Sequence, residues 1–436
     1  MKHEPGYRRP VRALSQPAPR PAAAPGTVGF RQPFPDGVQT YFATSPRGLE
    51  AALAGELTAI GADAIRAVPG GVMFEGDVPL GWRVNLESRL ASRILRRIFE
   101  FEYRDEHDVH RAASTIDWPA LFAVGQTLRI DVVGRHSPLT SLDFTTLRIK
   151  DAICDLFRER FDARPSIDTV APDVRIHAFL DERRGTLYAD LSGDTLFKRG
   201  WRDDKVAAPM RENLACGLLD LAGWTPDMPL IDPFCGSGTI AIEAAHIVQR
   251  RSPGLSRTFG FERLAGFDRA AWVAMREEAL QRFEPKARLR IAASDIAPRA
   301  VGATRENQKR AHTPFAIEVA DARTVSSPFD APGLLIANPP YGERAELRSN
   351  DPDETITDDA FWADFAANLK RQFAGWKVAI ITSDFDLPKR MRLKPSRRHV
   401  LFNGAIECRL FVFEMVSGSN RPQPRAESAP QPGTPV

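Results

Sequence analysis

Apolar positions change their rhythm along the chain, and the rhythm divides it. Residues 38–44 alternate as a strand does, and after the turn at Pro46 the residues Leu49, Leu53, Leu57 and Ile60 recur at helical spacing. Strand-like pieces at 64–68 and 71–74, a helix near 80–90 and a strand at 93–101 complete a small α+β module. A second follows: a strand at 127–134, a helix over 142–161 carrying Leu147, Ile149, Ile153, Leu156 and Phe157, and a hairpin from 174–180 and 186–191. From about residue 205 strands and helices alternate. Helices are predicted at 209–221, 239–249, 298–311 and 360–373, and strands at 229–231, 288–293, 315–319, 333–337 and 377–382. That order predicts an α/β fold, a mostly parallel, doubly wound sheet covered on both faces. A last pair, 398–402 and 406–413, is an antiparallel hairpin closing its edge. No internal repeat is visible.

The ends read differently. Residues 1–36 carry eight prolines among Ala, Gly and Arg, and residues 417–436 are similarly poor in large apolar side chains, so both tails are expected to be disordered. Arg8, Arg9, Arg12 and Arg20 make the first a basic arm, better read as a solvated tail than as an RNA contact. The expected division is therefore 1–36, 37–103, 104–200, 201–416 and 417–436.

The whole chain has 436 residues, 43% apolar and 26% charged, which suits two or three folded, water-soluble domains. Its 59 basic against 56 acidic residues leave a charge of +3, so any hold on nucleic acid must come from local basic surface. Arg89, Arg93, Arg96 and Arg97 form the densest cluster, and Arg148 with Lys150 adds to it; solvated faces and phosphate contacts are equally good readings. Cys154, Cys216, Cys235 and Cys408 show no metal or disulfide spacing, so no metal site is expected. No segment has the length and apolarity of a membrane span, and the expected location is cytoplasmic.

The chemistry concentrates in the second half. Asp232-Pro-Phe-Cys-Gly-Ser-Gly-Thr239 lies between a strand and a helix, the carboxyl-end turn where such sheets bind ligands. Gly236 and Gly238 permit a tight turn and close approach. A dinucleotide site would need an acid about 20 residues after the glycines, yet 253–262 holds no strand. The next strand ends only at Asp295, after an insertion over 250–284 that contains a helix near 270–282. Asp295 suits a ribose diol, and Asp321, after the following strand, suits an adenine amino group. Asn338-Pro-Pro-Tyr341 follows the strand after that. Its prolines stiffen a loop in which the Asn338 side-chain oxygen and the Pro339 carbonyl can bind both hydrogens of a nucleobase amine and turn its lone pair toward a methyl donor. Tyr341 can stack on the base. Cys235 sits inside the glycine loop and is better read as a small packed residue than as a nucleophile.

These residues resemble the class I S-adenosyl-L-methionine-dependent methyltransferases. With Arg199-Gly-Trp-Arg202, Ala208-Pro-Met-Arg-Glu-Asn-Leu-Ala215 and the insert opening Ser252-Pro-Gly-Leu255, they are similar to the large-subunit ribosomal RNA guanine-N2 methyltransferase L family, from about residue 38 to 416. The resemblance implies a Rossmann-like methyltransferase domain preceded by ferredoxin-like and THUMP RNA-binding modules. It also implies an S-adenosyl-L-methionine cofactor and a 23S rRNA or large-subunit assembly-intermediate substrate. Asp232, Phe234, Gly236, Gly238 and Thr239 would hold the methionine end of the cofactor, Asp295 the ribose and Asp321 the adenine. Asn338, Pro339 and Tyr341 would meet the guanine, flipped or unpaired. Some members carry a second, N7-guanosine methyltransferase domain; here that activity is expected to be absent. No obligatory protein partner is evident. A nicotinamide oxidoreductase, a catalytically silent RNA-binding or assembly factor and a THUMP-dependent tRNA guanine-N2 methyltransferase remain alternatives.

Overall fold

The computed structural model describes residues 30–34, 36–202, 210–340 and 358–416. The expected Tyr341 contact and almost all of both tails lie outside the described residues.

The first sheet is built from β1 (Gln39–Thr44), β2 (Asp63–Val68), β3 (Gly71–Gly76), β4 (Arg93–Glu102), β5 (Leu128–Gly134), β6 (Val174–Leu180) and β7 (Arg184–Asp190). Its order is β2-β3-β1-β4-β7-β6-β5. The two small α+β modules thus share one sheet, joined where β4 pairs antiparallel with β7, Leu95 opposite Asp190. Helices α1 (Glu50–Ile60), α2 (Val78–Glu87), α3 (Glu106–Ser114) and α4 (Leu142–Phe161) accompany it. The start of α4 follows from its sequence: the Ser141 hydroxyl accepts a hydrogen bond from the Phe144 N–H, and Ile149, Ile153, Leu156 and Phe157 share the buried face.

The second sheet contains β8 (Leu230–Asp232), β9 (Ile291–Asp295), β10 (Ala316–Val319), β11 (Leu334–Ala337), β12 (Lys377–Thr382), β13 (Arg397–Asn403) and β14 (Ile406–Glu414). It is ordered β10-β9-β8-β11-β12-β14-β13. The first five of these run parallel, and β14 closes antiparallel on β12 with β13 at the edge. Its helices are α5 (Glu212–Leu221), α6 (Thr239–Val248), α8 (Pro298–Ala311), α9 (Asp358–Gln372) and the short α10 (Leu387–Arg390), while α7 (Arg269–Gln281), which precedes β9, buries Trp272, Met275 and Ala279 in the core of the first body. Alternate residues of β11 enter opposite cores: Leu334 and Ile336 pack with Leu218 and Ala244, Leu335 and Ala337 with Phe361 and Phe365. A strand buried on both faces needs a continuous apolar run, which is what 333–337 is. The doubly wound α/β fold with its antiparallel edge hairpin is as expected.

From β8 the chain steps outward through β9 to β10, then returns to place β11 on the other side of β8. That reversal opens a crevice at the carboxyl ends of β8 and β11, where sheets of this kind receive ligands.

The insertion between α6 and β9 is the seam between the two bodies. Phe259, Phe261 and Trp272 lie in the core of the first body, with Phe261 stacked 5.6 Å from Trp82 and edge-on to Trp272 at 4.9 Å. On the other flank Gly217 of α5 admits Leu49: a Cβ there would stand 2.4 Å from a Leu49 methyl. Both bodies are thereby fixed against each other by packed apolar surface.

Candidate active site

Adjacent strands deliver the expected site residues to one edge. β11 pairs in parallel with β8, Leu334 opposite Leu230 and Leu335 opposite Ile231, so Asn338-Pro-Pro and the glycine loop leave neighbouring strands at the same end. β9 flanks β8 on its other side and β10 lies beyond it. Asp321, Asp295, Asp232 and Asn338 therefore follow one another across the carboxyl edge, in the order of their strands.

The glycine loop is held by its neighbours and left open on one side. Cys235 N–H donates to the Ser294 carbonyl (2.9 Å) and Gly236 N–H to Asp295 Oδ2 (3.0 Å). Thr304 Oγ1 donates to the Gly236 carbonyl (2.9 Å) and Asn307 Nδ2 to the Ser237 carbonyl (2.8 Å). Gly238 has φ +82°, and a Cβ on it would stand 2.7 Å from the Thr304 methyl. Gly236 has φ +55° and its missing Cβ faces open space, a cradle that a side chain would fill. Gly238 caps α6 with no side-chain hydrogen bond, which leaves the first N–H groups of that helix to a ligand.

Each carboxyl at this edge has different surroundings. Asp232 is buried, and burial, reinforced by the nearby Asp295 charge, pushes its pKa up to about 8 against the opposing Phe234 N–H. A buried carboxyl without a cation stays protonated until a cationic ligand arrives. Asp295 accepts from Gly236 N–H with one oxygen and from Ala297 N–H with the other (2.9 Å). Asp321 is buried and its carboxylate is taken bidentately by the Arg323 guanidinium, with contacts of 2.7–3.2 Å.

The sign of the Asp232 shift gives a test. A carboxyl whose folded pKa is raised contributes stability that is complete below its unfolded value and is lost as pH rises through the folded value. Asp232→Asn, which does not titrate, should therefore gain stability over the unaltered protein as pH rises from about 5 to about 8. Urea unfolding at both pH values measures it; an equal gap at the two would mean that Asp232 is ionised in the folded chain.

Asn338 carries the clearest mark of a ligand. Its Oδ1 is buried without a hydrogen-bond partner, and among the described residues no hydrogen bond holds either end of its amide. Two other buried amide oxygens lack partners, but Asn213 and Gln249 are anchored through their nitrogens to the Leu90, Pro285 and His312 carbonyls. Pro339 beside it is buried. Phe234 sets its ring edge-on to Phe361 and Phe365 of α9, at 6.2 and 5.8 Å. Cys235 is a buried thiol whose pKa burial pushes up, which suits a packed residue and not a nucleophile.

Thr239, the first residue of α6, receives a hydrogen bond at 2.6 Å from Arg202, whose Nε lies 3.6 Å from Glu212. Arg202, Glu212, Thr304 and Asn307 support the loop; the first two stand in motifs quoted from the sequence but given no role there, and Thr304 and Asn307 were not singled out. The recoverable signal was Thr304 and Asn307 at i, i+3 on the helix after the second strand, small polar residues facing inward. Of the basic cluster, Arg93 pairs with Asp190, and Arg96 is buried, bonded to Gln39 with its guanidinium over the Phe34 ring; both serve the interior.

The RMKL-like methyltransferase-domain family matches residues 199–411. The chain carries an RMKL-like methyltransferase domain. Ahead of it, a THUMP domain matches residues 103–190 and an RlmL ferredoxin-like domain residues 40–95. Two curated relatives, each named ribosomal RNA large subunit methyltransferase K/L, are similar over most of the chain. That of Syntrophotalea carbinolica is 38% identical over 411 residues, covering 89% of this chain and 56% of that protein. That of Methylococcus capsulatus is 39% identical over 388 residues, covering 86% and 51%. The chain thus spans about half the length of the curated relatives it matches. A solved structure of SMU.472, a candidate methyltransferase complexed with SAH, superposes with a TM-score of 0.77 at 26% identity, over 89% of this chain and all of that one. TrmN from Thermus thermophilus shares the fold, with a TM-score of 0.63 at 20% identity over 87% of this chain and all of that one. The methyltransferase domain of this chain is therefore the second sheet with its helices, and the candidate site is its carboxyl-edge crevice.

Proposed function

We propose that this chain transfers a methyl group from S-adenosyl-L-methionine to the exocyclic N2 of a guanosine in 23S rRNA. The observation that carries the reading is the buried, partnerless Asn338 oxygen on the strand beside the glycine loop. An unmet buried acceptor costs roughly 1–3 kcal/mol, and a base amine is a donor that would meet it. The names of the curated relatives support the large-subunit RNA, the SAH-bound neighbour supports the cofactor, and the sequence resemblance supports guanine N2.

The residues present suit that cofactor. Asp232, neutral while alone, becomes the counter-ion of a methionine ammonium; the uncapped start of α6, with Thr239 and the cradle at Gly236, receives the rest of the methionine end, and Phe234 closes the apolar side. Asp295 keeps lone pairs for ribose hydroxyls. For Asp321, whose carboxylate is bound to Arg323, the adenine contact needs an oxygen shared with that guanidinium. When bound, the cofactor supplies an electrophilic methyl carbon. The protein's part is placement: Asn338 Oδ1 and the Pro339 carbonyl each accept one hydrogen of the amine, drawing the nitrogen toward tetrahedral geometry so that its lone pair faces the donor. Tyr341 is assigned to base stacking. The ferredoxin-like module (37–103) and THUMP module (104–200) hold RNA while the methyltransferase domain (201–416) reacts with an unpaired or flipped base. An rRNA substrate supports a cytoplasmic setting for this work. Among the described residues no helix is long and apolar enough to cross a membrane.

Mass mapping of modified nucleosides in rRNA from cells lacking the protein tests the reading. One N2-methylguanosine should vanish from 23S rRNA and return when the gene is restored. Loss of an N6-methyladenosine, or of a tRNA mark, would reassign the acceptor; unchanged RNA would leave the silent assembly factor.

A further inference from the structure

Across much of the protein buried arginines meet carboxylates: Arg93 with Asp190, Arg160 with Asp117, Arg323 with Asp321. The seam between the two bodies departs from this. There the half-buried Arg89, Arg251, Arg257 and Arg276 and the exposed Arg310 make no ion pair among the described residues. They donate instead to neutral acceptors: Arg89 to the Arg251 carbonyl, Arg251 to Ser256 Oγ, Arg257 to the Thr195 and Asp194 carbonyls, Arg276 to the Leu255 carbonyl, and Arg310 to the Trp201 carbonyl. Carbonyls satisfy N–H groups without offsetting the charge, the carboxylates that face these guanidiniums (Asp194 and Asp190 toward Arg257, Glu243 toward Arg251) act only from beyond ion-pair distance, and burial pushes Arg257 down to about 10.

A small polar cavity lies among these residues, with Arg199, His246, Arg251, Ser256 and Arg310 in its wall and no carboxylate lining it. Arg199 is buried and its Nε has no hydrogen-bond partner, while Ser256 and Arg310 are exposed. The nearest carboxylate, Glu243, lies 3.8 Å from Arg199 and offsets one of three guanidinium charges. His246 adds none, since burial pushes its pKa down to about 4. Through Ser256 the cavity adjoins an open groove that carries Arg257, Arg276 and Lys198, the last paired with Asp194 of the same groove at 3.1 Å. Along α6, His246 is seven residues from Thr239, about 10 Å at the helical rise.

We propose that this cavity is a phosphate-binding site that takes one phosphodiester of the RNA strand lying in the groove, resting on the RNA-substrate reading above. Guanidinium forks match phosphate oxygens in geometry as well as charge. A phosphate there adds counter-charge where three guanidiniums share one nearby carboxylate, and holds the strand a short way from the crevice where the base is presented.

The test measures binding of an in vitro large-subunit rRNA transcript against salt. In the Arg251→Gln, Arg310→Gln double variant the slope of log affinity on log salt should fall by about 0.7, the share of one single-strand phosphate, and affinity by roughly tenfold. S-adenosyl-L-methionine affinity by calorimetry should not change. An Arg66→Gln, Lys394→Gln control, both exposed and outside the cavity and groove walls, should leave the slope intact. An unchanged slope in the folded double variant overturns the proposal. Tungstate soaked into crystals of the unaltered protein provides the second measurement: an ion among Arg199, Arg251 and Arg310 supports the site, and an empty cavity overturns it even if the variant does not fold. Tungstate bound with an unchanged slope means an adventitious ion only. If the unaltered protein binds no transcript, the RNA-substrate reading fails first, and tungstate alone decides whether the cavity takes a phosphate-like anion.

Discussion

Asn338→Ala should lower methyl transfer by about a thousand-fold, near the upper end of what removal of one positioned polar group costs, while leaving S-adenosyl-L-methionine affinity nearly unchanged. The reason lies in what the side chain does and does not touch. No hydrogen bond in the glycine loop depends on Asn338: the loop is held by Ser294, Asp295, Thr304 and Asn307. The amide is therefore free to be spent wholly on the acceptor. Stability separates this role from a structural one. A strand-end asparagine that braced its loop would, on removal, leave its partners unsatisfied and lower the melting temperature. Here the oxygen is itself the unsatisfied group, so alanine should leave the melting temperature unchanged or raise it slightly. Single-turnover methylation, calorimetry with the cofactor and thermal melting make the comparison. Loss of cofactor affinity, or a clear drop in melting temperature with partial activity, would move Asn338 out of the acceptor role.

Elements that bury a long regular face were legible in the sequence. α4 spans Leu142–Phe161 as its periodicity predicts, and β12 spans Lys377–Thr382, because a twenty-residue amphipathic helix and a six-residue apolar strand each leave no competing pattern. α3 was not legible: its buried side chains are Val109 and Ala113 alone, too few for a stripe. Nor was the shared first sheet, since the β4–β7 pairing joins residues about 90 positions apart and leaves no local trace. The same division runs through the site. Asp232, Asp295, Asp321 and Asn338 could be found because each follows an apolar strand, and strand order converts that sequence rule into one spatial edge. Their partners could not. Arg323 reaches back two residues to occupy Asp321, and Thr304 and Asn307 reach the glycine loop only because α8 packs over it; both are consequences of packing at close range. Apart from Arg89, which stood in the densest basic cluster, the seam arginines were hidden for another reason, because the overall charge of +3 averages them against acids elsewhere in the chain.

Asp295→Ala should do the opposite of Asn338→Ala, weakening S-adenosyl-L-methionine by roughly 10–100-fold, the worth of one or two charge-assisted hydrogen bonds, with turnover at saturating cofactor reduced only a few-fold. Two causes contribute, and the geometry allows them to be told apart. One is direct: a carboxylate at the end of β9 beside the crevice accepts from ribose hydroxyls. The other acts through the loop, because the Asp295 oxygens also hold the Gly236 and Ala297 N–H groups, and alanine would free Gly236 to leave the turn that forms the cradle. Asp295→Asn keeps one neutral acceptor for Gly236 and loses the charge. Comparing the cofactor with an analogue lacking the ribose 2′-hydroxyl completes the cycle. If the ribose contact dominates, the unaltered protein should discriminate strongly against the analogue, and both variants should discriminate little. If the loop dominates, all three should discriminate alike, and the asparagine variant should recover most of the affinity that alanine loses. A variant that binds the cofactor as tightly as the unaltered protein would remove Asp295 from the cofactor site altogether, and with it the reading that the acids after β8, β9 and β10 act together along one edge.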